Sequence, residues 1–155
     1  MKFGKLLLLL ISFALSTSVY AQEAVWYTDV NKAIELSQKQ KKPIMLFFTG
    51  SDWCGWCVKL QNEVFKQEAF INWAKQNVIL VELDFPRRKS LEPQMQQQNA
   101  QMQQLFQVRG YPTVFFVNPE QKDGKVNLQQ LGKAGYVAGG AETWINTVNA
   151  FVKKS

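Results

Sequence analysis

The chain has 155 residues, a formal net charge of +6, two Cys and no His. This length fits one domain, and a hydrophobic content of 46% is typical of a globular protein. Two Cys without any His exclude a four-ligand structural zinc site within one chain, a Ser-His-Asp or Cys-His catalytic pair and a haem His ligand. Any chemistry therefore depends on thiols, carboxylates, Lys, Tyr or the backbone.

The first 21 residues have the layout of a secretory signal peptide. Lys2 and Lys5 form a positive start, residues 6–15 are an almost unbroken apolar run, and Val19 and Ala21 are the small residues expected before a cleavage point. The apolar run is short for a transmembrane helix, and an uncleaved anchor is the main alternative. We therefore set this segment apart from the fold.

Residues 22–155 are predicted to form one domain, periplasmic or secreted after cleavage of the signal peptide. Because the segment before them carries two Lys and no acid, their net charge is +4. Their basic residues are scattered, and the densest clusters, Lys41-Lys42 and Arg87-Arg88-Lys89, are short. Such short runs are typical of solvated loops, so we predict no nucleic-acid partner.

Helical and strand patterns alternate over the first half of this domain. Apolar residues recur at helical spacing from Trp26 to Ile34, and Asp29 can cap the start of a helix. The patterns predict a helix over about 29–40, a buried strand at 44–48, a helix from Cys54, a second helical piece at 67–77 and a strand at 78–84.

The second half continues with a helix, two strands and a final helix. Residues 94–107 include eight Gln, yet Met95, Met102 and Leu105 lie at helical spacing, so we predict an amphipathic helix. The patterns then predict strands at 113–117 and 126–131 around a turn at 122–125, a Gly-rich loop at 132–140 and a helix carrying Trp144. This order predicts an α/β domain with a central mixed sheet between helices.

Cys54 and Cys57 directly follow a predicted strand and open a helix. The first turn of a helix has unpaired N–H groups and the positive end of the helix dipole, so a thiolate is stabilised there. Cys54 is the better nucleophile because it lies at the helix start, and Cys57, one turn later, can resolve a mixed disulfide. A structural bridge and a metal site are the alternatives, and the strand–CxxC–helix context favours a redox pair.

Two segments resemble the thioredoxin family. Residues 51–57 read S-D-W-C-G-W-C, with Lys59 two positions later, and resemble the thioredoxin active-site segment W-C-G-P-C-K. Residues 108–113 read V-R-G-Y-P-T and resemble the thioredoxin segment V-R-G-I-P-T, whose proline is cis. The motifs stand in the family's order, and the resemblance spans most of residues 26–153. It is nearest to exported bacterial members, and it implies a thioredoxin fold with a central mixed β-sheet flanked by helices.

The resemblance also implies roles for individual residues. Cys54 matches the attacking cysteine, and Cys57 matches the resolving one. Pro112 matches the cis-proline, which would leave the backbone of Tyr111 facing an extended client segment. The other residues expected to contact the client are Trp53, Gly55 and Trp56. We expect no metal and no separate cofactor, because the Cys54–Cys57 disulfide is itself the redox group.

Two departures from the thioredoxin pattern bear on mechanism. Trp56 replaces the Pro before the second Cys, which leaves the redox potential open. The buried Asp that accepts a proton from the second thiol in thioredoxins is missing, because the strand before the motif offers Phe47 and Phe48 instead. Glu82, inside the next apolar strand, is our candidate for this acid/base role on Cys57, and solvent exposure at a strand edge is the alternative.

Together these features predict a thiol–disulfide oxidoreductase that exchanges electrons with protein disulfides outside the cytosol. We expect reduction, because the motif is nearest thioredoxin. The expected partners are protein clients and a membrane thiol donor, and we expect a monomer because no dimerisation module is visible. A disulfide oxidase or isomerase is the first alternative. A non-catalytic client-binding protein or a Cu(I) carrier that uses the two thiolates is the second.

Overall fold

The computed structural model of the chain describes residues 23–153, so the predicted signal peptide lies outside the described residues. Along this part of the chain the elements are β1 (Trp26–Tyr27), α1 (Val30–Gln40), β2 (Ile44–Thr49), α2 (Gly55–Leu60), a π-helical turn (Gln61–Phe65), α3 (Glu68–Asn77), β3 (Ile79–Asp84), α4 (Pro93–Leu105), β4 (Thr113–Lys122), β5 (Lys125–Ala134) and α5 (Gly140–Val152).

The five strands form one mixed sheet in the order β1-β3-β2-β4-β5. β1 and β2 both pair with β3 in parallel, and β4 pairs antiparallel with β2 and with β5. Parallel neighbours need a crossover connection, which α1 supplies before β2 and which α2 and α3 supply before β3. The predicted α/β class and the central mixed sheet between helices are confirmed.

Local sequence signals explain the helix that precedes β2. The Asp29 side chain accepts hydrogen bonds from the backbone N–H groups of Asn31 and Lys32 at the start of α1. The helix ends at Lys41, whose left-handed backbone (φ 55°) lets its N–H donate to the Ser37 carbonyl. Pro43 then starts the extended segment that becomes β2.

Each face of the sheet is covered by a separate hydrophobic cluster. The cysteine-side cluster packs α2, α3 and α5 against the sheet and includes Cys54, Cys57, Phe47 and Trp144. The opposite cluster packs α1 and α4 against the other face and contains neither cysteine. Because both faces of β2 are covered, its residues are all buried, as its continuous apolar run predicts.

The structure differs from the sequence prediction at four places. Trp26 lies in the short strand β1 and not on the helical pattern to which its spacing assigned it. A π-helical turn, Gln61–Phe65, connects directly to α2. Strand β4 extends to Lys122 and β5 to Ala134, so the Gly-rich loop begins later than predicted.

Among residues 23–153, the structure has no helix long and apolar enough to cross a membrane.

Candidate active site

Cys54 and Cys57 form a disulfide at the start of α2. Cys54 is the N-terminal capping residue of this helix, and its sulfur accepts a hydrogen bond from the backbone N–H of Cys57 at 3.2 Å. Cys54 is 6% exposed and Cys57 is fully buried at 0%. Both cysteines are buried, and Cys54 is the more accessible of the two. The attacking and resolving roles assigned to the pair from the sequence stay predictions.

The turn before the disulfide is attached to the end of β3. Asp84, 7% exposed, accepts hydrogen bonds from the Ser51 backbone N–H at 2.8 Å and from the Ser51 hydroxyl at 2.6 Å. Lys89 Nζ lies 3.2 Å from the same carboxylate. The backbone N–H of Cys54 donates to the Gly50 carbonyl at 2.9 Å. These contacts fix the position of the Cys54 backbone relative to the sheet.

Asp52 organises the loop that follows β3. Its carboxylate accepts hydrogen bonds from the backbone N–H groups of Arg87 at 2.9 Å and of Arg88 at 2.7 Å. The hydrogen bond from Arg87 is the main reason that the pKa of Asp52 is lowered. These hydrogen bonds favour the ionised carboxylate, so this group is poorly suited to accept and hold a proton. Asp52 is therefore a loop-capping residue.

Trp53 packs between the loop after β3 and the loop before β4. Its indole N–H donates to the Phe85 carbonyl at 2.8 Å, and the Arg87 guanidinium lies 3.8 Å from its ring centroid. Tyr111 meets the indole edge-on at 5.6 Å between ring centroids. A Cβ atom at Gly50 would lie 2.3 Å from the indole, so only glycine leaves room for this ring position.

Trp56 is the most exposed aromatic residue of the motif, at 58% exposure. Its ring packs against Tyr136, from the loop after β5, at 5.3 Å between centroids, and Lys59 Nζ lies 5.1 Å from each of the two rings. The Tyr136 hydroxyl donates to Glu63 at 2.5 Å, and this hydrogen bond raises the pKa of Tyr136. The exposed indole is thereby held between Lys59, three positions later in α2, and Tyr136, which is distant in sequence.

The Tyr111–Pro112 peptide bond is cis. The Tyr111 hydroxyl accepts a hydrogen bond from Gln103 Nε2 of α4 at 2.6 Å, and its ring packs against Phe85 and Trp53. Burial raises the pKa of this phenol. Through the contact between Tyr111 and Trp53, the cis-proline loop lies beside the segment that carries the disulfide.

Gly55 is exposed at the first position of α2. A Cβ atom built there would have no neighbour within 4 Å. The position next to the disulfide is therefore sterically open.

Glu82 is half-buried on β3, in register with Phe47 of β2. Phe47 and Leu80 belong to the cysteine-side cluster, and alternation along the strand places Glu82 on that same face. Burial raises the pKa of Glu82, the Asp84 charge raises it further, and Lys89 opposes both effects. The Glu82 carboxyl group accepts no hydrogen bond and forms no ion pair within residues 23–153.

Sequence reasoning missed the supporting residues of this site. Arg87 and Tyr136 pack on the two tryptophans, and Ser51 and Asp84 secure the turn. These contacts join residues 33 or more positions apart, such as Ser51 and Asp84, so no local pattern reveals them. Among the described residues, no group of three or more Cys, Asp and Glu side chains is placed to hold a metal ion.

The chain is similar to proteins of known family. The family model described as Thioredoxin-like matches residues 25–119. The chain is 34% identical over 122 residues to the disulfide bond reductase DsbH of Chlamydia pneumoniae, an alignment that covers 79% of this chain and 69% of that protein. It is 26% identical over 136 residues to the thioredoxin-related protein DsbJ of the same organism, over 84% of this chain and 38% of that protein.

Solved structures share the same architecture. A DsbH oxidoreductase superposes with a TM-score of 0.76 at 29% identity, over 92% of this chain and 94% of that one. A thioredoxin from Thermus thermophilus superposes with a TM-score of 0.60 at 15% identity, over 83% of this chain and 86% of that one, which is a likeness of fold alone. The thioredoxin fold expected from the two sequence motifs is confirmed.

Proposed function

This chain belongs to the thioredoxin-like family and is a thiol–disulfide oxidoreductase, and we propose that it acts as a reductase of protein disulfides outside the cytosol. The observation that carries this proposal is the Cys54–Cys57 disulfide at the start of α2, with Cys54 the more exposed of the two sulfurs. The reduced form of such a pair donates two electrons to a client disulfide.

The exchange takes place in two steps. The Cys54 thiolate attacks one sulfur of the client disulfide, which forms a mixed disulfide and releases the other client sulfur as a thiolate. Cys57 loses its proton and attacks the Cys54 sulfur, which releases the second client thiolate and closes the Cys54–Cys57 disulfide. The N–H of Cys57, already directed at the Cys54 sulfur at 3.2 Å, stabilises a thiolate at that position.

Glu82 is the acid/base group in this proposal. It lies on the cysteine-side face of the sheet, is half-buried, and has a pKa raised mainly by burial. A carboxyl with a raised pKa can take the Cys57 proton in the resolving step and release it later. Its lack of a hydrogen-bond partner among the described residues leaves the carboxyl free for such a transfer.

The client binds around the disulfide. In this proposal the backbone of Tyr111, in the loop before β4, pairs with an extended client segment as an added strand. Trp53 and Trp56 supply apolar surface, and the absence of a side chain at Gly55 leaves space for the client backbone. These contacts are largely independent of client sequence, as suits a reductase of several proteins.

The proposed direction and location rest on further observations. A relative that is 34% identical is named a disulfide bond reductase, which favours reduction over oxidation or isomerisation. The signal-peptide pattern of residues 1–21 supports a location outside the cytosol, either periplasmic or secreted. A reductase there needs a renewed supply of electrons, and we propose a membrane thiol donor as their source.

The reduction potential tests the direction. The purified protein is equilibrated with glutathione or dithiothreitol buffers, and the oxidised fraction of Cys54–Cys57 is measured. We expect a value near that of thioredoxin, about −270 mV. A value near about −120 mV, that of a strong periplasmic oxidant, would overturn the reductase assignment. Trp56→Pro, which restores the thioredoxin motif, is the matched variant that measures how far Trp56 shifts the potential.

A further inference from the structure

Each tryptophan of the active-site segment has a cation on its ring. The Arg87 guanidinium lies 3.8 Å from the Trp53 ring centroid, and we call this pair the Trp53 ledge. Lys59 Nζ lies 5.1 Å from the rings of both Trp56 and Tyr136, and we call these three residues the Trp56 ledge. Cations at these distances from an aromatic face are attracted to it, so both charges stay beside the disulfide.

Both ledges are built by further contacts. Asp52 accepts the backbone N–H of Arg87 at 2.9 Å, which holds this residue beside Trp53. Glu63 accepts the Tyr136 hydroxyl at 2.5 Å and lies 3.8 Å from Lys59 Nζ, which aligns the Trp56 ledge. Asp52 and Glu63 therefore position the cationic residues of the two ledges.

The basic residues of this region are more exposed than Asp52, Glu82 and Asp84, whereas the side chains of Lys59 and Glu63 are almost equally exposed, at 46% and 41%. Lys59 and the basic residues of the loop after β3 are all exposed: Arg87, Arg88 and Lys89. The acids of the same region are half-buried or buried: Asp52, Glu63, Glu82 and Asp84. In addition, Arg87 and Arg88 form no salt bridge within the described part of the chain. Lys59 and Lys89 are paired with Glu63 and Asp84, so the positive charge that a partner meets beside the disulfide comes mainly from Arg87 and Arg88.

We propose that the two ledges form a recognition surface for acidic client segments, so that the protein preferentially engages disulfides flanked by Asp or Glu. This inference rests on the proposed function, because it concerns the partner of the same disulfide exchange. Complementary charge raises the rate of encounter more than it raises the final affinity. The surface thus adds a preference to a site whose backbone contacts are insensitive to sequence.

Three model peptides test the proposal. Each carries the same intramolecular disulfide, flanked on both sides by Glu, by Gln or by Lys. The protein is reduced with dithiothreitol and desalted, and the single-turnover rate of peptide reduction is measured. Two electrons pass from the Cys54–Cys57 dithiol to the peptide disulfide, so no other reductant is needed. The rate with dithiothreitol alone corrects for the intrinsic reactivity of each peptide.

At about 0.01 M ionic strength, where screening extends over about 30 Å, we expect the Glu peptide to react about 10-fold faster than the Lys peptide. The ratio should approach unity at about 1 M, where the screening length is about 3 Å. Arg87→Gln and Lys59→Gln should each lower the ratio. The control is Lys122→Gln, at the far end of β4, which should leave the ratio unchanged.

The outcomes separate this inference from the proposed function. If the reduced protein reduces the Gln peptide but treats the Glu and Lys peptides alike at low salt, the proposed function stands and the acidic preference is overturned. The preference is also overturned if Lys122→Gln changes the ratio as much as Arg87→Gln and Lys59→Gln do. If none of the peptides is reduced, the proposed function fails, and the inference fails with it.

Discussion

Phe47 and Glu82 are register partners on the adjacent parallel strands β2 and β3. Side chains of paired residues project to the same face of a sheet, and Phe47 is part of the cluster that contains Cys54 and Cys57. The carboxyl group of Glu82 is therefore directed to the layer that holds Cys57. Glu82 belongs to β3, whereas the Cys54–Cys57 motif follows β2.

The first prediction concerns the resolving step. Glu82→Gln keeps the size of the side chain but cannot accept the proton of Cys57. We expect resolution of a mixed disulfide on Cys54 to slow by about 10²-fold, the lower range for a positioned general base. In the unaltered protein this rate should rise with pH through a pKa above the ordinary Glu value of 4.5, and the variant should lack this inflection.

The measurement is single-turnover kinetics from pH 4 to 9 with one model disulfide. Glu35→Gln is the matched control, because Glu35 is an exposed carboxylate on α1, which packs on the opposite cluster. An unchanged pH profile in Glu82→Gln would show that Glu82 is not the proton acceptor.

The second prediction concerns stability. Because burial raises the pKa of Glu82, the folded chain binds this proton more tightly than the unfolded chain. The stability of the unaltered protein therefore declines as the pH rises from 4.5 through the raised folded pKa, and the loss is complete above that value. Glu82→Gln should melt a few degrees higher at pH 8, and this advantage should shrink towards pH 4. Thermal unfolding at several pH values measures it, and equal melting shifts at pH 4 and pH 8 would contradict it.

The third prediction concerns the order of the two cysteines. Cys57→Ser leaves the Cys54 thiolate able to attack but removes the group that resolves the product, so the variant should accumulate mixed disulfides with an oxidised protein substrate. Cys54→Ser should accumulate far fewer, because Cys57 is 0% exposed. Electrophoresis without reductant distinguishes the two variants. Equal capture by both would refute the assigned order.

The fourth prediction compares two tryptophans. Trp144 is fully buried among aromatic rings of the cysteine-side cluster, and its indole N–H donates to the Gly135 carbonyl at 2.9 Å. Trp144→Ala should lower the free energy of unfolding by about 3–5 kcal/mol. Trp56→Ala removes the same side chain from a site that is 58% exposed and should cost about 1 kcal/mol or less. Denaturant unfolding of both variants provides the test, and comparable losses would contradict the assigned packing.

Long elements with a clear period were predictable from the sequence. The apolar run at 44–48 identifies β2, because a strand that is buried on both faces has apolar residues at every position. The spacing after Cys54 identifies α2, because a helix that is buried on one face has apolar residues at helical intervals. The two-residue strand β1 was missed, since two residues are too few to show alternation. The π-helical turn at Gln61–Phe65 was missed because one inserted residue per turn barely alters an apolar pattern.

The same distinction applies to the site. Cys54 and Cys57 are close in sequence, so their spacing and context reveal the disulfide. Tyr136 reaches Glu63 from 73 positions away, and that contact exists only after the sheet and α5 have assembled. The residues that carry out exchange were thus visible in the sequence, whereas those that position the aromatic rings depend on the tertiary fold.

The separation of the two hydrophobic clusters has a consequence for engineering. The cluster beneath α1 and α4 contains neither cysteine, and within residues 23–153 Tyr111 is the one partly buried residue that packs against both clusters. Core redesign could therefore be confined to that half of the domain, for example at Val30, Ile79 or Met102. Substitutions restricted to such positions would change the thermal stability of the protein. They would leave the thiol–disulfide exchange of Cys54 and Cys57 unchanged.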